Sequence, residues 1–163
     1  VQRSPPLDDR KCLLGYKKSV GWQNMSAKDR FHDVVKTALQ KDGWAITQDP
    51  LTIRISPTTN LYIDLGAEKI LAAERAGKKI AVEVKSFLSA SAVTDFHMAI
   101  GQYTNYRYAI TDYAPEWTLY LAVPLDVYDD FFTQPFIQSV IQRSQVNLLI
   151  YDEEKEEVVR WQT

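Results

Sequence analysis

Residues 79–85 read Lys-Ile-Ala-Val-Glu-Val-Lys, an apolar run broken by two ionisable side chains, and a second apolar run, Leu-Tyr-Ile-Asp-Leu at 61–65, comes before it. A β-strand turns successive side chains to opposite faces and rises ~3.3 Å per residue, so Glu83 and Lys85 share a face with roots about 6.6 Å apart. On this reading Ile80, Val82 and Val84 face the core, and Ala81, Glu83 and Lys85 face the other way. If Asp64 sits at the same height on an adjacent strand, two carboxylates converge where a hard divalent cation would find oxygen ligands. That arrangement suits phosphodiester cleavage. It also suits a plainer role, a same-face salt bridge worth ~1 kcal/mol or less. The context bears on the choice: both strands are short and apolar, as central strands are, and burying three ionisable groups there is costly without a metal or a mutual network.

Working outward, the first helix is announced by Ser26 as N-cap with Asp29 three residues on, followed by the apolar stripe Phe31, Val34, Val35, Ala38 and Leu39, and Gly43 ends it. Short strands are expected at 44–47 and 51–55, separated by Asp49-Pro50, then a loop over 56–60 and the strand of Asp64. Residues 68–75 suggest one or two helical turns, and Gly77-Lys78 turns the chain into the Glu83 strand. A helix over 93–110 buries Phe96, Ile100 and Tyr103, and carries Asp95, Gln102 and Tyr106 on another face. An apolar strand at 117–123 ends at Pro124, residues 125–143 read as helix interrupted near Pro135, and strands at 146–151 and 158–161 pair across the charged tip 152–157. The order describes one mixed α/β domain, with helices flanking the sheet.

The 163 residues are enough for one core that buries roughly 70% of the unfolded surface and too few for two ordinary domains. No apolar run approaches the ~20 residues of a membrane span. Cys12 is the single cysteine, so no internal disulfide is available, and a reducing cytoplasm is the expected compartment. Residues 1–24 carry five cations against two carboxylates, a net of +3 that leaves −5 for the remainder of a chain whose total is −2. A mildly acidic body argues against a protein that coats DNA without specificity, though not against a local basic groove. Residues 1–24 show no helical or strand period and read as an N-terminal extension outside the core; an arm that packs on a partner through Tyr16 and Trp22 is the alternative. The working domain is then 25–163.

The succession of a helix, a strand with Asp64, a strand with Glu83-Val84-Lys85 and a helix bearing Gln102 and Tyr106 resembles the PD-(D/E)XK nuclease superfamily, in the branch of Holliday-junction resolvases and RecB-type nucleases. More closely, residues 29–32 (Asp-Arg-Phe-His), 42–44 (Asp-Gly-Trp), 62–68 (Tyr-Ile-Asp-Leu-Gly-Ala-Glu), 80–87 (Ile-Ala-Val-Glu-Val-Lys-Ser-Phe) and 101–107 (Gly-Gln-Tyr-Thr-Asn-Tyr-Arg) are similar to the XisH family, the fdxN element excision controlling factors of cyanobacteria. The resemblance spans residues 25–163 and implies a restriction-endonuclease-like mixed sheet. It implies a site of Asp64, Glu83, Lys85, Gln102 and Tyr106, with Mg2+ or Mn2+ held by Asp64, Glu83 and the Val84 carbonyl, and DNA as substrate. It also implies a small XisI-type protein as partner, so the alternative is a non-catalytic regulatory subunit acting through that complex; homodimerisation is left open. The residue before Asp64 is Ile63 where the superfamily name has proline, and His32 stands where related resolvases place a glutamate, with Asp33 beside it. The exposed aromatics expected at Trp117, Tyr128, Phe131 and Phe132 favour the regulatory alternative, although for the Phe131-Phe132 pair burial in the core is the stronger reading. A recombinase nucleophile is not evident, since Arg107 is the only arginine near Tyr106 in sequence.

Overall fold

The computed structural model describes residues 27–62 and 70–163. The N-terminal extension, the Ser26 cap, Asp64 and Glu68 lie outside the described residues. The first helix, α1 (Ala27–Lys41), buries Phe31, Val34, Val35, Ala38 and Leu39. It ends in a Schellman turn: Gly43 adopts φ +86°, its N–H reaches Gln40 O at 3.1 Å, and the Trp44 N–H reaches Leu39 O at 2.9 Å. The same turn seats the Trp44 ring in the core cluster that holds Leu39.

Then come β1 (Ala45–Gln48), β2 (Thr52–Arg54), β3 (Asn60–Tyr62), β4 (Ile70–Arg75) and β5 (Lys78–Val84). Helix α2 (Ala92–Tyr113) crosses over to β6 (Trp117–Pro124). A single turn α3 (Leu125–Val127) runs into a π-turn at Tyr128–Phe132, followed by α4 (Pro135–Arg143), β7 (Leu148–Asp152) and β8 (Glu157–Gln162). Six of these strands form one sheet in the order β1-β4-β5-β6-β7-β8, while β2 and β3 pair separately. Contacts β5–β6 and β6–β7 are parallel and the other pairs are antiparallel. The mixed α/β class and the terminal β7–β8 hairpin agree with the sequence reading.

Three expectations are corrected. Residues 70–75 are not helical turns but strand β4, paired with β5 from Ile70–Glu83 to Arg75–Lys78 through a two-residue turn. Ala76 and Gly77 take φ +49° and +78°, the pair of positive values that a type I′ hairpin turn requires. Ala72, Ala73, Glu74 and Arg75 carry a helical propensity that strand pairing overrides, because Ala72 and Ala73 are fully buried in the sheet. Secondly, Ala81, Glu83 and Lys85 do not face away from the core. Ala81 packs in a cluster under α2 and α4, Ile80, Val82 and Val84 in another under α1, so both faces of β5 are covered. Thirdly, Trp117 and Tyr128 are buried, as is the Phe131-Phe132 pair, for which the core reading holds. Phe132 is central to a set of rings, 5.3 Å from Phe87, 5.7 Å from Phe96 and 5.7 Å from Phe131, all near edge-to-face.

Candidate active site

Glu83 and Lys85 lie at the C-terminal end of β5, on the α2 side of the sheet by their alternation with Ala81. Their burial is deep: Glu83 is 0% and Lys85 3% exposed. Burying two ionisable groups so deeply carries a desolvation cost that their partners must offset. Lys85 Nζ donates to Gln102 Oε1 at 3.0 Å, and Glu83, Lys85 and Tyr106 each make further interactions. Gln102 reaches Lys85 because α2 starts immediately after the β5 loop and runs back over the sheet. Its N-cap Ser91 accepts from the Thr94 N–H, and the Asp95 carboxylate accepts from the Ser89 N–H at 3.0 Å, which fixes the loop to the helix. Tyr106, four residues on, is buried in the cluster beneath α2. Beyond Lys85 the chain passes through Phe87 at φ +52°, a left-handed conformation uncommon for a bulky side chain, with its ring anchored against Phe132.

The structure thus brings together Lys85 and Gln102 by direct contact, with Glu83 and Tyr106 on the same side of the sheet. Val84 pairs with Ala122 in the β5–β6 ladder and turns its side chain to the α1 cluster. Asp64, expected on a strand next to β5, lies outside the described residues; the strands that flank Glu83 are β4, with Ile70 opposite, and β6, with Leu121 opposite. Residues 60–62 pair with β2. Among the described residues, no three His, Cys, Asp or Glu side chains converge on a metal position.

A polar network that strand spacing did not announce lies at the same end of the sheet. Both β1 and β5 run antiparallel to β4, so Asp49, just past β1, sits toward the end where Glu83 lies, with β1 about 10 Å from β5 at ~4.8 Å per strand. His32 Nε2 and Asp49 Oδ1 are hydrogen-bonded at 2.8 Å, and Lys36 Nζ donates to Asp49 Oδ2 at 3.0 Å. Burial alone pushes the Asp49 carboxyl up, but the Lys36 bond and the His32 contact outweigh it and hold the group below the usual range. The signal available in the sequence was the spacing of His32 and Lys36, one helical turn apart on a single face. Asp33, the neighbour considered as a ligand, is exposed.

Comparison with known proteins agrees with this architecture. Residues 25–159 match the sequence profile of the family described as XisH protein. No curated protein matches the chain. Among solved structures, an XisH family protein from Nostoc punctiforme is 52% identical, with a TM-score of 0.75 over 83% of this chain and 100% of that one. An fdxN element excision controlling factor protein from Anabaena variabilis is also 52% identical, with a TM-score of 0.74 over 82% of this chain and 98% of that one.

Proposed function

This chain belongs to the XisH family, and we propose that it acts in excision of a DNA element, with a PD-(D/E)XK-type endonuclease site at the end of β5. The observation that carries this reading is the buried Glu83–Lys85 pair on one strand with Lys85 hydrogen-bonded to Gln102 of α2. Structural salt bridges seldom hide both partners in the centre of a sheet, because desolvation exceeds the Coulombic gain unless the charges serve a site.

The donor chemistry fits a hard divalent cation: Glu83 supplies a carboxylate from a desolvated strand end, and Asp64 and the Val84 carbonyl would complete the oxygen set. Mg2+ or Mn2+ bound there would act as a Lewis acid on the scissile phosphate and lower the pKa of a water. Lys85, held by Gln102, orients the attacking water and offsets the charge that develops on the phosphoryl oxygens, an electrostatic contribution that needs no covalent intermediate. Gln102 positions Lys85, and Tyr106, one turn further along α2, would help to position the lysine or a phosphate. The expected assay result is cleavage of branched or linear DNA that requires Mg2+ or Mn2+ and is lost in both Glu83→Gln and Lys85→Ala. Cleavage surviving both substitutions removes the assignment.

A second reading is a regulatory subunit that works through a small XisI-type partner. Exposed apolar side chains favour it: Phe136 is 73%, Tyr108 59% and Met98 53% accessible. Co-purification with such a partner, together with calorimetry showing no divalent-cation binding, selects this reading over the first.

A further inference from the structure

The α1 side of the sheet is not covered along its whole length. Where α1 stops at Lys41 and the Schellman turn drops Trp44 onto the sheet, the starts of β5 and β6, the end of β4 and Trp161 of β8 enclose an open groove of about 500 Å3. It lies at the opposite end of β5 from Glu83, about 16 Å away by strand rise. Its walls hold the rings of Trp44, Tyr120 and Trp161 and the cations Arg75 and Lys78, while Lys79 turns to the other face of the sheet over Trp117.

These groups form an ordered ladder. The Arg75 guanidinium lies 4.7 Å over Trp44, Trp44 is 5.7 Å from Trp161, and Trp161 meets Tyr120 edge to face at 4.9 Å and 81°. The cations are largely balanced. Asp42 holds Arg75 at 3.2 Å and Glu116 lines the wall, while Lys78 has no ion pair among the described residues. A groove this close to neutral gives little of the counterion release on which duplex DNA binding rests, and little pull on an acidic peptide. Ring surface beside cations is what unpaired strands use: each base offers a π-face for stacking, and Lys78 and Arg75 line the same groove as the rings.

We propose that this groove binds single-stranded nucleic acid, an unpaired base stacking against Trp161 and Tyr120 while its phosphates contact Lys78 and Arg75. The test is quenching of intrinsic tryptophan fluorescence in the full chain at low salt, with a chelator present so that binding is independent of the Glu83 end of the sheet. The titrants are a short oligothymidylate, a duplex of equal length, inorganic polyphosphate and polyglutamate. The oligothymidylate is expected to quench and to bind about tenfold or more tighter than the other three, the equivalent of one base-on-ring stack. Thr118→Glu, an exposed change within the groove, is expected to weaken it by a similar factor, and Lys78→Glu provides a second exposed variant. Equal quenching by polyphosphate, preference for duplex or polyglutamate, or unchanged affinity in both variants overturns the proposal. Loss of DNA cleavage in Glu83→Gln bears on the other site alone.

Discussion

The contact between Lys85 and Gln102 can be weighed by a double-mutant cycle on stability. Lys85 is 3% exposed and donates to Gln102 Oε1 at 3.0 Å, so this is a hydrogen bond to a charged group in a desolvated setting. Such bonds contribute about 1.5–3 kcal/mol, and the further interactions of Lys85 mean that its ammonium is not left bare when Gln102 is removed, which favours the lower end. Methionine keeps the stem length and helix compatibility of glutamine, so Gln102→Met removes the acceptor with little change in packing. We expect that variant to lose about 1.5 kcal/mol, a fall in Tm of about 3–6 °C for a domain of this size. Lys85→Met removes the donor, and the half-buried Gln102 can then turn to solvent. The double variant should be more stable than the sum of the singles implies, by about 1.5 kcal/mol, as urea denaturation would read it. A coupling within about 0.5 kcal/mol of zero refutes the argument, because sites that do not share an interaction add within that margin. It would also remove the positional basis for giving Lys85 a role at the site.

Two other perturbations test the frame around it. The Asp49 carboxyl is held below its usual pKa of 3.8 by Lys36 and His32 despite burial, so its contribution to stability is complete above that unfolded value and is lost as pH falls through the lower folded value; denaturation midpoints from pH 6 down to pH 2 should drop less steeply for Asp49→Asn than for the parent. Phe132, fully buried among Phe87, Phe96 and Phe131, should cost about 3–5 kcal/mol when changed to alanine, read by thermal or chemical denaturation; a loss under about 1 kcal/mol would show that the ring set does not support the Phe87 turn.

How far the sequence could be read depended on whether a feature was local. Helix α1 was legible because its stripe and the Gly43 stop need only neighbouring residues, and the Schellman bonds are formed within that turn. Strand β5 was legible for the same reason, and so was the meeting of Lys85 with Gln102, since a helix that begins soon after a strand must run back over it. Strand β4 was hidden because Ala-Ala-Glu-Arg has a helix former's composition, and the decision between helix and strand is made by partners supplied from β1 and β5. The second core, on the Ala81 and Glu83 face, was missed on similar grounds: alternation shows which residues share a face, not whether a second helix covers it. The groove was invisible to any sequence pattern, since Trp44, Arg75, Tyr120 and Trp161 come from the turn after α1 and from three separate strands and meet only once the sheet is assembled. Glu83 and Lys85 stand at one end of β5 and Lys78 at the other, with the apolar run 80–82 between them. The two candidate sites are therefore held apart along the strand, and substitutions in that apolar middle, at Ala81 or Val82, should alter stability without altering which ligand either end accepts.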